Sequence, residues 1–151
     1  MKLMRRAIVA IFVVLSALLL SGCPGFLTPS LEGTWQQIGE IILPSGPDTY
    51  GAFTNTSVVF GSGTYSFSYS IVDPFPDGTA VTASHSGTIS PAEPVEGDAI
   101  TFTVTAAAGE FAPEVDDTFP GELVYLGRDT MVMKIQTGAD LMVAWTFERT
   151  D

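Results

Sequence analysis

The chain reads as all-β, an eight-stranded antiparallel up-and-down barrel. Three observations predict it. Apolar and polar residues alternate with a period of two in the longest runs beyond residue 30. Segments rich in Gly, Pro, Asp and Ser separate those runs. No stretch beyond residue 22 carries a helical period. A β-sandwich or another small β-barrel is the alternative architecture.

Taken in order, strands are expected over 33–43, 56–61, 64–72, 79–89, 99–108, 121–127, 130–136 and 140–149. The third is the plainest. In "TYSFSYSI", Tyr65, Phe67, Tyr69 and Ile71 share one face and Ser66, Ser68 and Ser70 the other. In "AITFTVT", Ile100, Phe102 and Val104 oppose Thr101, Thr103 and Thr105. In the last strand Leu141, Val143, Trp145 and Phe147 oppose Met142, Ala144, Thr146 and Glu148. Aromatic and threonine-rich alternation suits a sheet with one buried and one wet face. Gly61-Ser62-Gly63, Pro91 to Asp98, Gly127 to Thr130 and Thr137 to Asp140 supply turns. Eight sequential antiparallel strands close most simply into a barrel, which removes both sheet edges.

Residues 1–22 read as an export signal. Lys2, Arg5 and Arg6 precede an uncharged apolar run from Ala7 to Leu20, too short to cross a bilayer comfortably. Leu20-Ser21-Gly22-Cys23 then resembles the lipobox of bacterial lipoproteins. The resemblance implies cleavage before Cys23 and a diacylglycerol on its sulfur. Cys23 is the only cysteine, so no intramolecular disulfide forms. Residues 23–30 make a lipidated tether with two prolines, reaching at most roughly 24 Å over its seven residues past the cysteine. Residues 31–151 are one domain's worth of chain. The expected localisation is the bacterial cell envelope, and Pro24 rather than aspartate after the cysteine favours the outer membrane.

Once the signal is removed, Arg128, Lys134 and Arg149 stand alone against all 17 acidic residues. Nucleic acid is not an expected partner, because phosphate binding needs clustered Lys and Arg. The lipid, not the folded domain, would hold the membrane. Solubility explains the charge, and a cationic protein partner is the sharper alternative.

The two ends of the domain carry a second resemblance. Gly33-Thr34-Trp35 opens the first strand and Arg149 closes the last, as in the lipocalin-like family. That resemblance implies that Trp35 packs under the closed end of the barrel beside Arg149. It also implies an interior that holds a small apolar ligand. An eight-stranded barrel is the size at which side chains either fill the interior or leave room for one small molecule. Phe67, Phe102, Trp145 and Phe147 argue for filling, and Gly39, Ala83 and Gly87 for space. A filled core would suit a structural or inhibitor-like lipoprotein instead.

Enzymatic chemistry is not expected, and no cofactor motif is present. His85 is the only histidine, which makes a histidine metal site improbable. There is no Gly-x-Ser-x-Gly elbow and no Ser-x-x-Lys. Acidic residues gather in connections but nowhere with the spacing of a calcium-binding EF-hand loop. What remains is a candidate mouth. In a meander, the connections 44–55, 73–78 and 109–120 share the end opposite Trp35. They carry Tyr50, Phe53, Phe75, Phe111 and Phe119, with Asp48, Asp73, Asp77, Glu114 and Asp116 as a rim. These aromatics and His85 are the candidate ligand-binding residues. Their alternative role is to fold back and plug the top of the barrel.

Overall fold

The computed structural model describes residues 28–42, 52–72, 80–137 and 141–151. These form a closed antiparallel barrel of strands β1 (Gly33–Gln37), β2 (Ile41–Ile42), β3 (Ala52–Gly61), β4 (Thr64–Val72), β5 (Ala80–Ser90), β6 (Ala99–Ala108), β7 (Thr118–Leu126), β8 (Thr130–Gln136) and β9 (Met142–Arg149). Each strand pairs with the next from β2 through to β9. β1 closes the ring, pairing with β9 on one side and with β3 on the other. β1 and β2 lie along the same neighbour, β3, and form one strand interrupted over residues 38–40. The barrel therefore has eight staves. No helix occurs among the described residues.

The alternation in the sequence sets the barrel's polarity. Tyr65, Phe67, Tyr69 and Ile71 point inward from β4, and the three serines between them point out. Ala83, His85, Gly87 and Ile89 are buried from β5 in the same way. Apolar-in, polar-out is the polarity of a water-facing barrel and the reverse of one embedded in lipid.

Two strands begin earlier than their sequence suggests. β3 reaches back to Ala52 through Asn55, which sits at a bulge with a positive φ of 54°. Asparagine tolerates that left-handed conformation better than most residues, so the strand survives where alternation breaks. The bulge also changes phase: Thr56, Val58 and Phe60 are buried, and the extra residue brings Phe53 onto the inner face as well. β7 reaches back to Thr118, where Phe102 of β6 and Phe119 of β7 are direct cross-strand partners. Their rings stack with centroids 4.9 Å apart and planes 8° from parallel. Phe53 and Phe119 are thus wall residues and not loop residues.

Gly87 does not make space. A Cβ there would run into the Thr103 carbonyl of β6, at the point where the β5–β6 register shifts. The glycine lets two backbones approach. Gly39 is exposed and contributes nothing to the interior.

The lower half of the barrel is filled. Trp35, Val58, Phe102, Leu123, Met131, Met133 and Phe147 are all essentially inaccessible to solvent. Large aromatic and aliphatic side chains bury roughly 1.5–3 kcal/mol each, which is how a chain without a disulfide holds this fold. The upper half, between the β4–β5, β6–β7 and β8–β9 ends, is where the filling stops.

Candidate functional site

At the lower end, Arg149 lies over Trp35, its guanidinium carbon 4.3 Å from the ring centroid. The two residues are direct register partners across the β1–β9 seam. Trp35 donates its indole N–H to the Leu31 carbonyl at 2.8 Å. Arg149 donates to three carbonyls: Arg128 at 2.9 Å, Glu32 at 2.8 Å, and Ser30. It also faces the Asp151 carboxylate at 3.6 Å. Gly33 has φ 133°, and a Cβ on it would sit 2.5 Å from an Arg149 nitrogen. Gly33, Trp35 and Arg149 therefore form one structural lock. It ties the N-terminal segment, the β7–β8 turn and the last strand together.

The opposite end holds a cavity of about 620 Å³. Its walls are Phe53 of β3, Phe67, Tyr69 and Ile71 of β4, His85 of β5, Phe119 of β7, Ile135 of β8 and Trp145 of β9. The β6–β7 connection covers part of the opening with Glu110, Phe111, Ala112, Pro113 and Asp117. Tyr69 fixes that connection by donating its hydroxyl to the Phe111 carbonyl at 3.1 Å. Phe53 meets Trp145 and Tyr69 edge-on, at 5.1 and 5.5 Å between centroids. Below them Trp145 stacks parallel over Phe147 at 6.1 Å, which separates the cavity from the filled half.

His85 sits inside a ring of aromatics, with centroids of Tyr65, Phe67, Tyr69 and Phe119 between 5.3 and 5.8 Å away. Its Nδ1 and the Tyr65 hydroxyl are hydrogen-bonded at 3.2 Å. Burial lowers the imidazole from its ordinary value to about 4. Burial, reinforced by Tyr69, raises Tyr65 to about 12, and burial raises Tyr69 likewise to about 12. All three polar groups on this wall are therefore neutral at physiological pH. Trp145 adds a fourth polar group, an indole N–H that is buried without a partner among the described residues. Such orphans are uncommon in native interiors and each calls for a cause.

The depressed His85 value fixes a pH dependence. The unfolded chain takes up the imidazole proton near its ordinary value of 6.5, whereas the folded protein resists it until about 4. The unfolded state therefore binds more protons across that window. Stability should be complete above pH 6.5 and fall as the pH drops toward 4, by up to about 3 kcal/mol from this group. Denaturant unfolding at several pH values should show a shallower slope in His85→Phe than in the wild type between 6.5 and 4. Parallel slopes would remove His85 as the source.

Of the candidate ligand-binding residues, Phe53, His85, Phe111 and Phe119 come together around this one cavity. Tyr50, Phe75 and Cys23 lie outside the described residues. Sequence reasoning did not assign Phe67, Tyr69 and Trp145 to the site, although their inward phase on β4 and β9 was visible. It also passed over Gln37, whose amide joins the break between β1 and β2 to the β3 bulge. Gln37 donates to the Gly39 and Phe53 carbonyls and accepts from the Thr56 N–H. A glutamine on the buried phase of Trp35 was the available signal. Two acids of the connections serve turns: Asp98 accepts from the Val95 N–H and Asp117 from the Glu114 N–H, both at 2.9 Å. No group of three or more acidic, histidine or cysteine side chains is arranged to hold a metal among the described residues. Comparison with protein-family models, with curated proteins and with solved structures finds no match to this chain.

Proposed function

We propose that this protein is a lipocalin-like envelope lipoprotein whose barrel binds a small, largely apolar molecule. Cys23 carries the lipid, residues 24–30 are the tether, and the domain presents its cavity to the periplasm or the cell exterior. The observation that carries the binding role is the aromatic-walled cavity of about 620 Å³ at one end of an otherwise packed barrel. That volume lies in the range of small-molecule sites, roughly 300–1,000 Å³, and its walls combine apolar area with a few polar groups, as such sites do. The Trp145 N–H, buried without a partner among the described residues, is a point at which a ligand would restore hydrogen bonding. The filled-core alternative leaves that group and the cavity without a purpose. No nucleic acid partner and no enzymatic step enter this reading.

A solvatochromic hydrophobic dye tests it. The wild type should bind the dye at a single saturable site. Phe53→Ala should weaken binding about tenfold, the worth of one well-packed aromatic contact. Phe111→Ala should weaken it less, since that residue is partly exposed at the opening. If the wild type binds no dye and the variants only unfold more easily, the aromatics are a plug and the binding role is wrong.

A further inference from the structure

The charges around the cavity, together with its aromatic walls, point to a ligand class. We infer that the preferred ligand is a cationic amphiphile: an apolar body that enters the aromatic cavity and an ammonium-type head held at its mouth. The inference rests on the binding role proposed above and narrows it.

Two exposed acidic residues, Glu110 and Asp117, are among those that line the cavity, together with Phe111, Tyr69 and Phe119, and the Asp117 carboxylate also accepts from the Glu114 N–H. No basic side chain lines it among the described residues. The three basic residues beyond residue 22 are all committed elsewhere. Lys134 pairs with Glu122 at 2.8 Å across β7 and β8, and both side chains are over two-fifths exposed, on the outer face. Arg149 is bound into the Trp35 lock, and Arg128 lies on the β7–β8 turn beside it. Residues 43–51, 73–79 and 138–140, which lie outside the described residues, contain no lysine or arginine.

An anionic head, such as a fatty carboxylate, would meet acidic neighbours with no counter-charge. Leaving a charge unpaired near a low-dielectric cavity is costly. An ammonium head would meet carboxylates and aromatic faces together, the combination that favours organic cations. His85 does not oppose this, because a ring with a value of about 4 carries no positive charge at physiological pH.

The test uses the mature lipoprotein in phospholipid nanodiscs, with empty nanodiscs subtracted. Three probes share one dansyl-alkyl body and end in trimethylammonium, carboxylate or a neutral amide. Energy transfer from tryptophan reports occupancy of the cavity. The ammonium probe should bind about tenfold more tightly than the carboxylate probe, from two exposed charge interactions that reverse sign between them. Glu110→Gln/Asp117→Asn should erase most of that preference and leave the neutral probe unchanged. Glu93→Gln/Glu148→Gln removes the same charge from exposed positions away from the cavity and should leave the preference intact. If the carboxylate probe binds as well as the ammonium probe, or if both double variants act alike, the cationic selectivity is wrong while the binding role stands. If none of the three probes binds, both fail.

Discussion

Trp35→Ala should lower stability by about 3–5 kcal/mol, the usual result of truncating a large buried aromatic. Trp35 is completely buried and its indole N–H is already bonded to the Leu31 carbonyl. Truncation therefore opens a cavity at the closed end and strands that carbonyl. Arg149→Ala should have a smaller effect, because the guanidinium is only partly buried, although it leaves the Ser30, Glu32 and Arg128 carbonyls without their donor. The two changes should not add. A guanidinium over an indole is worth about 0.5–2 kcal/mol, and contact residues couple on that scale. Denaturant unfolding of the wild type, both single variants and the double variant gives the coupling directly. A coupling of zero would mean that Arg149 holds the carbonyls and Trp35 fills the core independently, and that the stacked geometry stabilises nothing.

The lock also explains how the two ends of the molecule differ in kind. At the Trp35 end every strand terminus is tied: the β7–β8 turn by Arg149, Thr34 by the Asp151 carboxylate, and the β5–β6 connection by the Gly97 N–H donating to the Leu123 carbonyl. At the cavity end, among the described residues, Tyr69 reaches the Phe111 carbonyl, Asp117 caps its own turn, and Val104 accepts from the Asp116 N–H and donates to the Asp117 carbonyl.

Much of this was legible in the sequence where side chains alternate without interruption. Tyr65 to Ile71 and Ile100 to Val104 occupy the inner face in the phase their spacing demands. Legibility ends at bulges, because one extra residue reverses the facing of everything beyond it. Asn55 is the clearest case: it reads as the end of a loop, yet in a left-handed conformation it continues β3 and places Phe53 in the cavity wall. Phe119 reads as a loop residue for a related reason, since Pro120 beside it looks like a breaker while pairing with Thr101 within the sheet. Gly87 looked like a gap and is a point of backbone contact. A sequence shows which residues are small. It does not show whether the space beside them is empty or taken by the next strand.

Cys23→Ala should abolish lipid attachment altogether, the largest effect expected of any single change. The argument is chemical first: a thioether to diacylglycerol needs the sulfur, and the chain has no second cysteine to take its place. It is then energetic. Each buried CH₂ of an acyl chain contributes about 0.8 kcal/mol, and two or more chains give stable anchoring. The domain has nothing to substitute for that. Acidic residues far outnumber basic ones beyond residue 22, so anionic headgroups repel it. Membrane fractionation alone is a poor readout, because an unprocessed precursor keeps the apolar stretch Ala7 to Leu20 and stays membrane-associated through it. The decisive measurements are incorporation of labelled fatty acid and the intact mass of the product. The variant should carry no label and retain residues 1–22, whereas the wild type should begin at Cys23 with the mass of its lipid added. Normal labelling and cleavage in Cys23→Ala would overturn the lipid anchor. The envelope localisation would then need a different cause, and the tether from Pro24 to Ser30 would lose its purpose.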